Sequence, residues 1–537
     1  MEGGGRRGAA RRGRPQRGDR NEEGCARLCR RRGRHAPRPY RRGPHRKSLR
    51  RGGVGQRRAG DGPRDLPCLR GDRSIRGRGG VSGRHQPRAR QVLPERTDRA
   101  VGRGVEVPAS HLRPAWHAAG GPAMKCPPRL SVWLLAAATV VFGIASAADW
   151  PAFRGADGLG VAPGETIRTA WSESEGIAWR ADLPGRSVAS PIVVGDLVVT
   201  TASSGPRQDR LHVVAYDRET GRPRWQRRFT ATGRTLTHPT SAVASCTPAS
   251  DAARIVALFS SCDLFALDLD GRLVWQRNLA VEHPRAGNDV GMGSSPRIIQ
   301  TPAGGVVVVQ IDCQGDAFAA GIDLADGEDR WLVERRKIAS WATPLELACP
   351  GGPGVLLQNP EGLELREAAT GKLAWSWEGD CSGIPMTTAS GELVCIPSDG
   401  LTAVVPGGPG RPAWRQPKLS CGIASPLAFG GSLATINRGG VLVLADAASG
   451  KVRKQLRLAG SFWASPILVG ELLVAVNKEG TAFLVRVGEE PVIVAQNTLP
   501  GSFTATPAVA DGSLFLQSES TLWKTLPPPQ KNGDGSE

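Results

Sequence analysis

The chain has 537 residues, with 70 Lys and Arg against 50 Asp and Glu and a formal net charge of +20. The excess is confined to residues 1–123, where 33 basic and 10 acidic side chains give +23, whereas residues 124–537 carry a net charge of −3. The overall basicity therefore gives no reason to expect a nucleic-acid-binding surface on the rest of the chain, which is long enough for a large core or several domains.

Residues 1–123 have a composition that does not support a folded core. Arg, Gly, Ala and Pro account for 78 of the 123 residues, so we expect disorder. One interpretation is a basic arm that neutralises nucleic-acid phosphates. The other is a GC-rich upstream region read as coding sequence, because a single Lys among 33 basic residues fits codon bias better than selection for charge. We favour the second interpretation because a second start follows at Met124.

Residues 124–147 have the three parts of a secretory signal peptide. A short positive region precedes an apolar run, Leu130 to Ile144, and Ala145-Ser146-Ala147 supplies the small residues of a cleavage site. Cleavage there predicts a periplasmic or secreted chain without a stable membrane anchor. If Met1 were the true start, the 19 uncharged residues 130–148 would be barely long enough to span a membrane instead.

A repeat occupies residues 148–526. Its first marker is a small residue, a proline and an apolar run, which recurs at spacings of 57, 48, 48, 41, 41, 40 and 41 residues. The marker prolines are Pro191, Pro248, Pro296, Pro344, Pro385, Pro426, Pro466 and Pro507. Few folds repeat at this length with a β-rich composition, and β-propellers are foremost among them.

The second marker lies late in each unit, where an Asp-containing turn and a Gly lead to a Trp four residues on. These tryptophans are Trp225, Trp275, Trp331, Trp375 and Trp414. Short β-branched and Leu-rich runs separate the markers, so each unit is predicted to form four antiparallel strands, and no amphipathic helix is predicted. We expect each Trp to fill the wedge between adjacent blades. The sixth unit has Lys454 at that position and the seventh has no Trp there, so those two junctions should be filled differently.

These units predict an all-β fold, an eight-bladed β-propeller of four-stranded antiparallel blades. The eighth unit ends after three strands, and segment 176–185, with the unmatched Trp179, is expected to pair with it and close the ring. Seven blades are the main alternative, if the sixth or seventh unit is misassigned. Residues 527–537 are expected to form a disordered tail.

The repeat resembles that of exported bacterial proteins with pyrroloquinoline-quinone (PQQ)-binding-like, or quinoprotein-type, β-propeller repeats. The resemblance covers about residues 149–526 and is carried by DWPAFRGADGLG, CDLFALDLDGRLVWQRNL, NDVGMGSSP and GDAFAAGIDLADGEDRW. It implies the propeller fold and leaves the chemistry open, because this family is characterised by its fold rather than by one reaction.

The loops that lead into the Pro strands carry the candidate binding residues. Binding residues concentrate on loops held by a rigid scaffold, and in this repeat these loops share a face with the turns between second and third strands. The candidates for a ligand funnel near the axis are His238, Asn288, Asp289, Trp341, Asp380 and Trp463. The alternative is that His238 and the two tryptophans only pack the top of the central channel.

Two functional classes follow from the propeller. A dehydrogenase dependent on PQQ and Ca²⁺ would need oxygen ligands for the metal, an Asp base and an aromatic ring stacked on the quinone. The Asn and Asp candidates are able to supply the oxygen ligands or the base, and Trp341 the ring. Such dehydrogenases typically carry an adjacent Cys pair, which this sequence lacks, and only three His follow the signal peptide. We therefore expect no catalytic residues, metal or cofactor. The expected protein is a non-enzymatic monomer whose top-face loops hold a protein or polymer partner, similar in role to the outer-membrane assembly propeller.

Seven of the 11 cysteines follow the signal peptide, and an odd number leaves at least one thiol unpaired. Cys246 and Cys262 are expected on one face of one blade, and Cys381 and Cys421 in equivalent loops of neighbouring blades. Both pairs are candidate disulfides, with free buried thiols as an equally good interpretation.

Overall fold

The computed structural model describes residues 149–408 and 410–529. The segment 1–123, the signal peptide predicted at 124–147 and the tail beyond residue 529 lie outside the described residues. Within the described ranges the chain is all-β, with 33 strands and one helical turn. In these ranges no helix is long and apolar enough to cross a bilayer.

The strands form eight sheets, which are the blades of the propeller. Two short strands precede the first blade, β1 Val161–Ala162 and β2 Ile177–Asp182. Blade 1 contains β3 Ile192–Val194, β4 Leu197–Ser204, β5 Arg210–Asp217 and β6 Pro223–Thr230. Blade 2 contains β7 Ala249–Ser250, β8 Arg254–Leu258, β9 Asp263–Asp268 and β10 Leu273–Asn278, followed by the helical turn α1 Leu279–Glu282. Blade 3 contains β11 Arg297–Thr301, β12 Gly304–Ile311, β13 Phe318–Asp323 and β14 Asp329–Glu334. Blade 4 contains β15 Leu345–Cys349, β16 Gly352–Asn359, β17 Gly362–Glu367 and β18 Leu373–Glu378.

The second half of the ring repeats this arrangement. Blade 5 contains β19 Thr388–Ser390, β20 Leu393–Pro397, β21 Leu401–Val404 and β22 Trp414–Gln416. Blade 6 contains β23 Leu427–Phe429, β24 Ser432–Ile436, β25 Val441–Asp446 and β26 Val452–Arg457. Blade 7 contains β27 Ile467–Val469, β28 Leu472–Val476, β29 Thr481–Arg486 and β30 Val492–Thr498. Blade 8 contains β31 Ala508–Ala510, β32 Ser513–Gln517 and β33 Thr521–Thr525.

Within each blade the chain runs outward from the axis in antiparallel strands. The first strands of neighbouring blades contact one another. The contacting pairs include β7 with β11, β11 with β15, β19 with β23, and β31 with β3. Because strand direction alternates, the loops into the first strands and the turns between second and third strands lie on one face, the top face. The remaining turns lie on the opposite, bottom face.

The ring is closed by the predicted N-terminal strand. In blade 8, β2 is the outer strand and pairs antiparallel with β33, with Trp179 opposite Lys524 and Ala181 opposite Leu522. The structure confirms eight blades and this closure, and the seven-bladed alternative is wrong. Pairing the two ends of the chain leaves no open sheet edge at the junction.

The residues ahead of the first blade, 149–162, pass through the centre of the ring, and we call this segment the plug. It contacts the inner strands of five blades. Trp150 bridges to Val193 in blade 1, and the carbonyls of Pro151 and Gly155 accept hydrogen bonds from Ser250 in blade 2 and Arg297 in blade 3. Arg154 donates to the carbonyl of Pro426 in blade 6, and β1 pairs in parallel with β27 in blade 7. The plug therefore connects blades that do not touch each other around the ring.

The hydrophobic core lies between the facing sheets of adjacent blades. Val199 and Val213 of blade 1 pack with Ile255 and Leu267 of blade 2 in one such layer, all of them buried. Each blade is thus apolar on both faces, which is why its inner strands are continuous Val, Leu and Ile runs rather than alternating ones.

Five tryptophans join one blade to the next in the same way. The indole N–H of Trp331 donates to the carbonyl of Ala368 at 2.8 Å, and its ring lies against Gly371 in the last turn of the next blade. Gly371 has φ of +69°, and a Cβ there would lie 2.7 Å from the indole ring, so the position requires glycine. Equivalent contacts are made by Trp179 with Arg218 and Gly221, Trp225 with Leu269 and Gly271, Trp275 with Leu324 and Gly327, and Trp414 with Ala447 and Gly450.

Trp375 departs from this pattern. It holds the expected register position, opposite Leu365, but it is only half-buried. The wedge is instead filled by Trp377, which is buried and donates to the carbonyl of Gly410 at 3.2 Å. The turn between β21 and β22 is longer than in the other blades, so the acceptor is displaced along the chain.

The junctions between blades 6 and 7 and between blades 7 and 8 are filled differently, as the sequence predicted. Lys454 of blade 6 forms an ion pair with Glu490 in the last turn of blade 7. Between blades 7 and 8, Trp171 from the segment linking the plug to β2 is buried, and its backbone N–H donates to Oδ1 of Asn497 at 3.0 Å.

Candidate functional site

A belt of hydroxyl groups surrounds the axis where the first strands begin. The backbone N–H of Ser190 donates to Oγ1 of Thr247 in the next blade at 3.0 Å, and the N–H of Thr506 donates back to Oγ of Ser190 at 2.9 Å. The seven belt hydroxyls belong to Ser190, Thr247, Ser295, Thr343, Ser425, Ser465 and Thr506, and each accepts one such bond. The small residue of the Pro marker is therefore the residue that links one inner strand to the next.

Blade 5 interrupts the belt. Met386 holds the belt position, because its N–H donates to Oγ of Ser425 at 3.1 Å. The other marker prolines follow the belt residue, whereas Pro385 precedes Met386, so the marker predicted at Pro385 lies two residues too early in the chain. Met386 supplies a buried thioether in place of a hydroxyl.

Inside the belt lies a funnel of about 440 Å³ that opens on the top face. Its floor is Phe153 of the plug, and its walls carry indole and aliphatic groups together with the belt residues. The apolar wall residues are Val188, Val290, Trp341, Ile384, Met386, Ile423 and Trp463. Among the described residues no Asp, Glu, Lys or Arg lines the funnel, and His238 is the one titratable side chain that does.

Three of the six predicted site residues line the funnel. Nδ1 of His238 accepts the backbone N–H of Thr240 at 3.2 Å, so the neutral imidazole carries its proton on Nε2. The indole N–H of Trp341 donates to the carbonyl of Gly291 at 2.7 Å, which fixes the ring against the funnel wall. Trp463 lies under Lys478, whose Nζ is 5.5 Å from the ring centroid.

The other three predicted residues are not part of the funnel. The side-chain amide of Asn288 donates to the carbonyl of Asp312 at 3.3 Å, and the exposed Asp289 pairs with Arg234 at 2.6 Å. Asp380 is exposed and also lies outside the funnel lining. The structure therefore does not bring the Asn and Asp candidates together with the tryptophans.

The funnel floor was not found from the sequence. Phe153 belongs to DWPAFRGADGLG, a segment whose sequence indicates the family but not a place in the site. The plug carries no repeat, and its position depends on contacts with residues up to about 300 positions away, such as Arg154 with Pro426. Only the concentration of small and aromatic residues in this segment hinted at close packing.

Among the residues that the structure describes, His212 and Ser204 form a Ser–His pair, and the geometry of this pair does not suit hydrolysis. Nε2 of His212 lies 2.8 Å from Oγ of Ser204, and Nδ1 lies 2.8 Å from the side-chain amide of Gln226. Because the amide N–H donates to Nδ1, the proton sits on Nε2 and is donated to the serine, so the imidazole is not a base toward Ser204. Burial, with Arg228 and Arg210 nearby, lowers the pKa of His212 and keeps it neutral.

The residues present do not fit a PQQ and Ca²⁺ site. Calcium needs several oxygen ligands, commonly carboxylates, and no group of three or more acidic, His or Cys side chains suited to a metal occurs in the described part of the chain. The predicted ligands Asn288, Asp289 and Asp380 lie away from the funnel that would hold the quinone. No reaction step is therefore derived through this cofactor.

Neither candidate disulfide is formed in the structure, in which the seven described cysteines are free thiols. Cys246 and Cys262 share one buried core, where Sγ of Cys262 lies 3.9 Å from Sδ of Met292. Cys381 and Cys421 pack into different cores. Burial raises the pKa of Cys246, Cys381 and Cys421 to about 12 each, so these thiols stay protonated and unreactive.

The fold and the funnel define a class of protein, the eight-bladed β-propeller with PQQ-like repeats. The sequence model of a family described as outer membrane protein assembly factor BamB matches residues 145–345 and 315–526. These matches span most of the chain, and the chain therefore belongs to this family of PQQ-like propeller proteins.

Three solved structures are similar to this chain. BamB from Moraxella catarrhalis is 17% identical, covers 65% of this chain and 96% of its own, and has a TM-score of 0.49. A europium-containing methanol dehydrogenase is 13% identical, covering 69% of this chain and 89% of its own at a TM-score of 0.51. Quinohemoprotein alcohol dehydrogenase from Comamonas testosteroni is 12% identical, covering 72% and 82% at a TM-score of 0.51. The likeness to the two dehydrogenases shows a shared fold alone. No curated protein matches the sequence.

Proposed function

We propose that the protein is an exported, non-enzymatic scaffold whose funnel mouth holds a protein partner. The carrying observation is an exposed apolar rim around an apolar funnel. Leu236, Val290 and Ile384 are 62%, 44% and 44% exposed, and the last two also line the funnel. Exposed aliphatic side chains beside an apolar cavity are the usual mark of an interaction site.

The rim is built to present these side chains. The loop of Leu236 and His238 is tied to the loop of Val290 by a hydrogen bond from the N–H of His238 to the carbonyl of Val290 at 3.0 Å. Trp341 anchors the next loop by its bond to Gly291. Preformed loops lose little conformational entropy on binding, which favours affinity for a partner.

The family description supports a scaffold role, since it names an assembly factor rather than an enzyme. The export signal predicted at residues 124–147 supports a periplasmic or secreted location. A dehydrogenase is disfavoured because the funnel holds none of the Asn and Asp side chains that the quinone chemistry would use. A nucleic-acid partner has support only from the Arg-rich segment 1–123.

Photo-crosslinking compares the two faces directly. A crosslinking residue is placed in the full chain at Ile384 on the top rim or at Leu373 on the bottom face, positions of nearly equal exposure at 44% and 45%. In intact cells, the crosslinking residue in place of Ile384 should give a discrete protein adduct, and the one in place of Leu373 should give none. The adducted protein, purified separately, should bind the wild-type chain and lose binding to Ile384→Asp but not to Leu373→Asp. Equal crosslinking from both positions, or equal binding by both Asp variants, would contradict the proposal.

A further inference from the structure

The belt hydroxyls have a hydrogen-bonding capacity that the fold leaves unused. Each oxygen accepts one backbone N–H, as Oγ1 of Thr506 does from Ser465 at 3.0 Å. Across the described ranges, none of the seven O–H groups has an acceptor, so each hydrogen is available to a ligand on the axis. Nε2–H of His238 adds a further donor at the funnel wall. The funnel is thus rich in donors, and no carboxylate competes for them.

A buried positive charge that forms no ion pair with a described residue lies beneath the funnel floor, and Asp157 acts on it through space. Arg154 follows the floor residue Phe153 and is fully buried. Its Nη2 donates to the carbonyls of Leu159 and Pro426, both at 2.8 Å, and Pro426 is the residue after the belt residue Ser425. Its Nε and Nη1 are buried without a hydrogen-bond partner in the described chain. Burial lowers the pKa of Arg154 to about 10, which leaves it protonated at neutral pH.

Two other cations reinforce this field. Arg297 of blade 3 is also buried against the plug, where its Nη1 donates to the carbonyl of Gly155 at 3.2 Å and its Nε has no partner among the described residues. At the mouth, Lys478 lies over the ring of Trp463. Charges in a cleft with apolar walls act over longer distances than charges in water, so these cations favour an anion inside the funnel.

We propose that the funnel binds a carboxylate carried on an apolar body. The carboxylate accepts hydrogen bonds from the belt hydroxyls above the charge of Arg154, and the apolar body lies between Trp341 and Trp463. The funnel volume of about 440 Å³ lies in the range of pockets that hold small organic molecules. Two sources share this chemistry, a free organic acid and the C-terminal carboxylate of a chain that ends in an apolar residue. The inference goes beyond the proposed function and does not depend on the rim.

Titration calorimetry with the full chain tests the charge requirement. Indole-3-acetate is compared with its neutral counterpart indole-3-acetamide and with the cation tryptamine. The acetate should bind about tenfold more tightly than the amide, since hydrogen bonds to a charged group are stronger by roughly that factor, and tryptamine should bind most weakly. Equal affinity for acetate and amide, tighter binding of tryptamine, or no binding of the acetate at millimolar concentration would overturn the proposal.

Belt variants test the site. Thr506→Val should weaken acetate binding about tenfold, and Thr506→Ser, which keeps the hydroxyl, should not. Thr435→Val is the matched control, because Thr435 is also a buried threonine but does not line the funnel. Arg154→Met should remove the preference for acetate over amide and leave amide binding unchanged. If Arg154→Met does not fold, the two Thr506 variants decide; loss of binding in Thr435→Val, or none in Thr506→Val, counts against the site.

Peptides distinguish the two sources. A short peptide that ends in Trp with a free carboxylate is compared with the same peptide amidated at its C-terminus. Tighter binding of the free-acid peptide than of indole-3-acetate assigns the site to a chain terminus, and the reverse order assigns it to a small acid. Failure of both acids overturns the carboxylate site and leaves the crosslinking result at Ile384 unaffected, so the two proposals fail separately.

Discussion

Trp331 is the contact on which the geometry of a blade junction can be tested. Its side chain is 7% exposed, donates to Ala368 and covers Gly371. Trp331→Ala removes nearly the whole indole from a packed wedge and leaves a buried carbonyl without its donor, a loss of about 4 kcal/mol of unfolding free energy. For a folded unit of roughly 380 residues, with an unfolding entropy of about 0.8 kcal/mol per kelvin, the thermal midpoint should fall by about 5 °C.

The matched control is Trp375→Ala on the neighbouring blade. Trp375 has the same register position in its own blade but is half-buried. Its loss should cost less than about 1.5 kcal/mol, or about 2 °C, because little buried area is exposed. Both variants are compared by calorimetry and by the denaturant midpoint of the full chain. If Trp375→Ala is as destabilising as Trp331→Ala, the buried indole contacts between adjacent blades do not determine the stability of the junction.

Three further predictions concern the other junctions and the thiols. Lys454→Ala should change stability by less than about 1 kcal/mol in chemical denaturation, because its ion pair with Glu490 is largely solvent-exposed, and a loss near that of Trp331→Ala would contradict this. Alkylation of the unfolded chain without reductant, read by peptide mass spectrometry, should modify all seven cysteines between Cys246 and Cys421, whereas two disulfides would leave only three reactive. Burial raises the pKa of Cys246 and Cys395 from 9 to about 12. The unfolded chain loses these protons near pH 9 and the native chain near pH 12, so their stabilisation is complete below pH 9 and is lost as the pH rises through 12. The thermal midpoint should fall over this window, and less steeply in Cys246→Ala/Cys395→Ala.

Much of the architecture could be predicted because the same sequence pattern recurs in eight units. The Asp-turn, Gly and Trp spacing identified the third and fourth strands, since the Trp of one blade needs the Gly of the next at a constant register. The closing strand was recognisable because the eighth unit ends after three strands and Trp179 lies, unmatched, ahead of the first Pro marker. The marker at Pro385 was placed two residues too early because Met386 replaces the hydroxyl that defines the position elsewhere.

The site was less predictable than the scaffold. A repeat determines which loops reach the top face, but not where each side chain in a loop points. His238, Trp341 and Trp463 face the axis, whereas Asp289 turns outward to pair with Arg234, a partner 55 residues away in the chain. Phe153 and Arg154 lie in a segment without periodicity, and only the three-dimensional path of that segment reveals them as the floor and its charge.

The path of the plug has a consequence for synthesis on the ribosome. Val161 pairs with Leu468, and β2, the strand that closes the ring, pairs with residues 521–525, which are translated much later. At 5–20 residues per second, roughly 15–60 s separate translation of Val161 from translation of its partner. During that interval β1 and β2 lack their partner strands, and the nascent blades have bare strand edges at the unclosed junction. Any factor that shields such edges is needed from the start of translation until the C-terminus emerges.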